Sequence, residues 1–140
     1  MTAIDFYTHV ADRLEVAGKL VGKAFARHGS VRVLTPDAAT TEQFDRWLWL
    51  HPAIGFLPHC RVDSALADAT PIWVDHVEEH PGPAKVLINL GAAPPPFFSR
   101  FERLAEIVGV DAADVAAGRE RYRFYRERGY ELRTHALGER

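Results

Sequence analysis

The sequence predicts an α/β domain with a mostly parallel sheet flanked by helices. Three observations carry that expectation. Short runs rich in β-branched residues alternate with amphipathic stretches, in the order β-α-β-α-β-β-α-(β)-α. Capping residues, glycines and prolines punctuate the boundaries between them. The chain has 140 residues, 47% hydrophobic and 26% charged, which suits one globular domain with a substantial core over residues 1–140.

Residues 3–8 (AIDFYT) alternate apolar and polar side chains and read as the first strand. From Asp12 to His28, Leu14, Ala17, Val21, Ala24 and Phe25 recur at helical spacing, and Gly29 supplies a C-terminal stop. VRVL at 31–34 is a short strand closed by Pro36. Thr40-Thr41-Glu42-Gln43 has the form of a capping box and opens a helix carrying Phe44, Trp47 and Leu48 on one face, ending before Pro52. Residues 52–70 show little strand or helix signal. PIWV at 71–74 and KVLINL at 85–90 are the clearest strands, and the Pro/Gly-rich link between them predicts one hairpin over 71–90. Pro94, Pro95 and Pro96 lead into a helix with Phe97, Phe98 and Phe101. LAEIVGV at 104–110 fits either a continued helix or a strand. Asp111 caps a last helix running to Gly129.

Charge and composition exclude several classes of function. The formal net charge is −2, against the basic balance expected of a duplex-DNA binder. No apolar run approaches a membrane span, and the N-terminal MTAIDFYTHV lacks the basic start of a signal peptide. Cys60 is the single cysteine, so no internal disulfide forms; a reducing, cytoplasmic setting is expected.

An α/β pattern invites a nucleotide, yet no G-x-G-x-x-G follows the first strand and no G-x-x-x-x-G-K-[ST] occurs. His76 and His80 are spaced i, i+4, but H-V-E-E-H between a strand and Pro81-Gly82-Pro83 is not a helical zinc motif and reads as a polar turn. His59 and Cys60 are adjacent, so their side chains diverge, and no G-x-S-x-G elbow is present. Neither a cofactor nor a metal is expected, and no residue is singled out as catalytic.

The segment GRERYRFYRERG (118–129) is different. Between residues 119 and 128 it holds five arginines against two glutamates, with Tyr122, Phe124 and Tyr125 among them. Arg119, Tyr122, Arg123 and Arg126 stand at i, i+3, i+4 and i+7, one helical face. Tyr125, which Val115 and Gly118 precede at turn spacing, is the expected core anchor. Arginine beside a tyrosine ring suits an acidic peptide ending in an aromatic residue: the guanidinium takes the free carboxylate and the ring packs on the ring. An ordinary amphipathic helix with a solvated basic side fits the residues equally well, and two other functional readings stand beside it. One is direct binding of single-stranded nucleic acid by the arginines and aromatics. The other is a small nucleotide-dependent enzyme, which the missing phosphate loop disfavours.

GRERYRFYRERGYEL resembles the C-terminal signature of the chi subunit family of bacterial DNA polymerase III. DRWLWLHPAIGFLPH (45–59), PIWV, VLINL and FFSRFERLAEIV are similar to further segments of that family, and the likeness runs from about Asp5 to Leu137. The resemblance implies a Rossmann-like topology without a phosphate-binding loop, with a helix at 96–103 and a strand near 104–109. It implies a non-catalytic accessory subunit that binds the acidic, phenylalanine-ended C-terminal tail of single-stranded DNA-binding protein (SSB). That subunit is tied to the clamp loader through a partner called psi, and meets DNA only indirectly. By position the tail-binding arginine and tyrosine fall on Arg119 and Tyr122, with Val108 as an aliphatic wall and Thr134 as a further contact. Arg123 stands where the family often has a basic residue. Val115 stands where some members have a lysine. Phe56, with Leu57 and Pro58, matches a second protein-binding surface for psi or another partner. Arg121, Arg126 and Arg128 are left for steering or solubility.

Overall fold

The computed structural model describes residues 1–51 and 57–137. Along the chain these form β1 (Ala3–Val10), α1 (Arg13–His28), β2 (Val31–Leu34), α2 (Ala38–Leu50), β3 (His59–Cys60), β4 (Ile72–Asp75), β5 (Val86–Asn89), β6 (Arg103–Gly109), α3 (Ala112–Glu127) and β7 (Leu132–Ala136). The strands join in one seven-stranded sheet of order β3-β4-β2-β5-β6-β1-β7. Every pairing in it is parallel.

The predicted hairpin does not form. β4 and β5 both pair with β2, Val31 standing opposite Ile72 on one side and Val86 on the other. The Pro/Gly-rich link therefore passes over a strand instead of turning back beside one. Arg32 helps hold it: this fully buried guanidinium donates to the carbonyls of Asp75 (2.9 Å) and Val77 (2.5 Å). Burial lowers its pKa to about 10, so it remains charged at neutral pH.

The α1 boundaries follow their caps. The Asp12 carboxylate accepts from Glu15 N at 3.1 Å, and Gly29, at φ 82°, donates to the Phe25 carbonyl. In α2 the cap is Asp37, not Thr40: its carboxylate accepts the Thr40 N–H at 2.8 Å, and the helix begins at Ala38. Thr41 instead turns inward and shares a 2.5 Å hydrogen bond with Thr35. The expected helix at 96–103 is only a short 3-10 turn at Phe98–Arg100, after which β6 begins. β7, which the sequence reading does not anticipate, lies beside β1.

Side chains alternate between the two faces of the sheet. On one face Val33, Val74, Ile88 and Ile107 pack with Ala17 and Val21 of α1 and Phe44 and Leu48 of α2. On the other, Phe6, Leu87, Leu104 and Val108 pack with Phe97, Phe98, Phe101 and Tyr125 of α3. Each large apolar side chain fully buried there contributes about 1.5–3 kcal/mol. Among the described residues no helix is long and apolar enough to cross a membrane.

Candidate peptide-binding pocket

α3 opens where β6 ends. The Asp111 carboxylate accepts the Asp114 N–H at 2.9 Å, satisfying a first-turn donor. The helix is then fixed to the sheet through a buried polar cluster. Glu106, fully buried on β6, accepts from Tyr125 Oη (2.5 Å), Arg121 Nε (2.7 Å) and Asn89 Nδ2 (3.0 Å). Asn89 in turn accepts from Gly91 N, and Arg121 donates to the Ala92 carbonyl. Burial pushes the Glu106 carboxyl above its ordinary range, while Arg121, Tyr125 and Asn89 oppose that shift. Burial and the neighbouring Glu106 push the Tyr125 hydroxyl up, so it serves as a donor.

Tyr125 thus anchors α3, as its spacing predicts. Arg121 does not serve steering or solubility: its side chain is 3% exposed and paired with Glu106. A buried carboxylate on the strand opposite needed a cation, and nothing in the local run of arginines marks which one supplies it.

Between α3 and the β1-β7 edge lies a pocket of about 400 Å³. Four of the sequence-predicted residues meet in it: Val108 on β6, Arg119 and Tyr122 on α3, and Thr134 on β7. Phe6, Val110, Val115 and Gly118 add apolar wall. The Tyr122 ring stands edge-on to Phe6 with centroids 5.3 Å apart, and the Arg126 guanidinium lies 5.8 Å from the Tyr122 ring centre. Arg119 is exposed and makes no hydrogen bond or ion pair among the described residues. The arrangement is a greasy slot with an unpaired guanidinium at its side.

Arg123 stands apart. It is exposed, pairs with Glu120 at 3.3 Å, and lines a separate depression with Phe124 and Arg128. Arg128 stacks over Phe124 at 3.6 Å and donates to that residue's carbonyl. The basic segment is therefore not one continuous cationic face, which weakens the nucleic-acid reading.

Thr8 and His9 of β1 also line the pocket, and sequence reasoning missed both. β1 reads as a plain strand, and no residue in it signals the register shift between Tyr7 and Val10. Of the second predicted surface, Phe56 lies outside the described residues. Leu57 is not a surface residue: it is 7% exposed and packs in the core beneath α1 and α2. Its position after a connection without periodicity gave no sign of that. Pro58 is half-buried. The nearby end of α2 exposes Trp49 (57%) and Leu50 (66%). No group of three or more potential metal ligands comes together among the described residues.

Comparison with known proteins finds a family and related sequences. The family described as "DNA polymerase III chi subunit, HolC" matches residues 1–133. The "DNA polymerase III subunit chi" of Pseudomonas aeruginosa is 35% identical, over 98% of this chain and 98% of its own length. The protein of the same name from Haemophilus influenzae is 27% identical, over 89% of this chain and 87% of its own.

Proposed function

The chain belongs to the DNA polymerase III chi subunit family, and on that premise we propose that it is a non-catalytic accessory subunit of the replicative polymerase that captures the C-terminal tail of SSB. The observation that carries the proposal is the pocket itself. A tail ending in phenylalanine presents an aromatic ring, a free carboxylate and upstream acidic side chains. Phe6, Val108, Val115 and Tyr122 offer apolar surface for the ring, and Arg119 offers an unpaired guanidinium for the carboxylate. Thr134 adds a hydroxyl at the open edge. Arg123 contributes to the general positive field from outside the pocket.

In this reading the chain links SSB-coated template to the clamp loader in the cytoplasm, through psi or an equivalent partner, and contacts DNA only through SSB. Phe56 and Pro58 provide the second surface; Leu57 lies in the core. The 140 residues work as a single domain.

The test is titration of a fluorescent SSB tail peptide against wild type, Arg119→Ala and Tyr122→Ala. Wild-type affinity on the order of micromolar, roughly 8 kcal/mol, is expected. Each alanine variant should bind at least tenfold more weakly. Unchanged affinity in both variants would refute the site.

A further inference from the structure

β7 separates two different surfaces. Neighbouring residues on a strand point to opposite faces of the sheet. Thr134 lines the pocket beside α3, whereas Arg133 and His135, on either side of it, line a cleft on the α1 face. β7 is also the last strand of the sheet, so pocket and cleft lie back to back across one edge strand. Among the described residues no strand pairs with the outer side of β7.

The cleft measures about 540 Å³, and its charge is one-sided. Lys23 and Arg27 from α1, Arg103 from β6 and Arg133 from β7 line it against a single carboxylate, Asp5 of β1. The whole chain, by contrast, carries a formal net charge of −2. Asp5 lies 3.5 Å from Arg103 and 3.2 Å from Arg133, and so draws the two guanidinium groups together. Its side chain is 12% exposed, against 39% for Arg103 and 61% for Arg133. One buried carboxylate cannot neutralise two guanidinium groups, so positive charge is left facing solvent. Lys23 and Arg27 are exposed and make no hydrogen bond or ion pair among the described residues. A concave surface lined by one sign of charge concentrates its field on an incoming anion.

The tail pocket receives a ring and a terminal carboxylate, but it places none of the acidic side chains upstream of them. We propose that the cleft is a second subsite for the same ligand: the acidic segment preceding the terminal phenylalanine runs along the outer side of β7 and sets its carboxylates against Arg133, Arg103, Arg27 and Lys23. This rests on the reading of the pocket as a peptide-tail site. An extended chain covers about 3.3 Å per residue, so the last three or four residues fill the pocket and about six more pass the edge and reach the cleft. The open side of β7 offers backbone groups that an added peptide strand can pair with. Side chains of such a strand alternate between the two faces, as those of β7 do. The same edge favours a peptide over a nucleic acid, which lacks a backbone that pairs with a strand and calls for aromatic platforms along a basic track.

The experiment uses two labelled peptides with the same phenylalanine end: a tail peptide of about four residues, and one extended at its N-terminus by about six residues, mostly aspartate. Each is titrated at about 0.15 M salt against wild type, Lys23→Ala/Arg27→Ala, Lys23→Glu/Arg27→Glu, Arg119→Ala and Arg46→Glu, with thermal melts of all five. Wild type should bind the extended peptide about tenfold more tightly than the tail peptide. The alanine pair should lose about 3- to 5-fold of that gain and the glutamate pair nearly all of it, while both hold the tail peptide as wild type does. Arg119→Ala should weaken both peptides, yet only the extended one should keep a salt response in that variant. Arg46 is an exposed cation on α2, which packs by β4, far along the sheet from β7, so its reversal should change neither affinity. Melting temperatures should match wild type, because Lys23 and Arg27 hold nothing in place. Equal affinity of the extended peptide for wild type and both α1 pairs overturns the inference and leaves the pocket standing. If wild type binds neither peptide, both readings fall. If wild type instead binds an oligothymidylate and the α1 pairs do not, the cleft serves nucleic acid and the inference also falls.

Discussion

A β-carbon on Gly118 would stand 2.8 Å from Val108 Cγ2 and 2.9 Å from Cγ1. α3 therefore rests directly on β6 at the floor of the pocket, and the pocket's depth depends on the missing side chain. Two opposed effects act on Gly118→Ala. Alanine favours the helix by about 1 kcal/mol. Overpacking against a β-branched side chain in a strand costs about 1–3 kcal/mol. Gly118→Val has little propensity gain and a larger clash, so it should destabilise by about 2–3 kcal/mol and weaken tail binding. Adding Val108→Ala should restore part of the stability of Gly118→Ala. Urea unfolding of the two singles and the double gives the coupling, and strict additivity would show that the contact does not limit the approach of α3.

Arg121→Met should cost about 3–5 kcal/mol at pH 7, because it leaves the Glu106 carboxylate buried without its cation. The pH dependence has a definite sign. Burial already raises the Glu106 pKa, and removing Arg121 raises it further. A carboxyl whose folded pKa lies above its unfolded value binds its proton more tightly in the folded state. Stability then falls as pH rises from the unfolded to the folded value. The Arg121→Met penalty should therefore shrink as pH drops toward the carboxyl range. Denaturant melts of both proteins at pH 4.5 and 7 check this; a penalty that grows in acid would contradict an ionised Glu106.

Asp5 ties the β7 edge to the sheet. Its carboxylate lies 3.2 Å from Arg133 Nε, 3.0 Å from His135 Nε2 and 3.5 Å from Arg103 Nη1. Asp5→Asn should lower stability by only about 1 kcal/mol, since the arginine partners are well exposed. Its local effect should be larger. Amide exchange across residues 132–136 should speed up, and tail affinity should fall because Thr134 rides on that strand.

Salt should discriminate among the forces in the pocket. A tail carboxylate held by the exposed Arg119 would be screened above about 0.1 M ionic strength, and a buried ring contact would not. Wild-type tail affinity should fall several-fold between low salt and about 0.5 M. Arg119→Ala should be weaker and nearly flat over the same range. An equal salt slope in both proteins would place the carboxylate elsewhere.

Much of the fold is legible in local signals. α1 lies between Asp12 and Gly29, β2 is VRVL, and Asp111 caps α3 as expected. The errors share a cause. A hairpin at 71–90 is what a local reading must expect, but β2, forty residues earlier in the chain, inserts between the two strands. Parallel neighbours come from distant sequence and leave no turn signature. TPDAATTEQF offers two capping residues, Asp37 and Thr40; Asp37 accepts the Thr40 N–H and starts the helix at Ala38, which puts Thr41 inside against Thr35. LRTHA is too short and polar to mark β7, whose burial comes only from lying beside β1. Of the pocket, Val108, Arg119, Tyr122 and Thr134 could be placed from the sequence by family likeness. His9 could not, because the register shift beside it is a property of pairing with β6.

β1 sits between β6 and β7, so the pocket gathers Phe6, Val108 and Thr134 from three widely separated parts of the chain. During synthesis its first wall leaves the ribosome early and waits through some 125 residues for its last. A nascent or prematurely stopped chain can bury most of its core and still lack the Thr134 edge of the pocket. On the proposed function, a complete pocket for the tail thus requires that the carboxyl-terminal strand has docked.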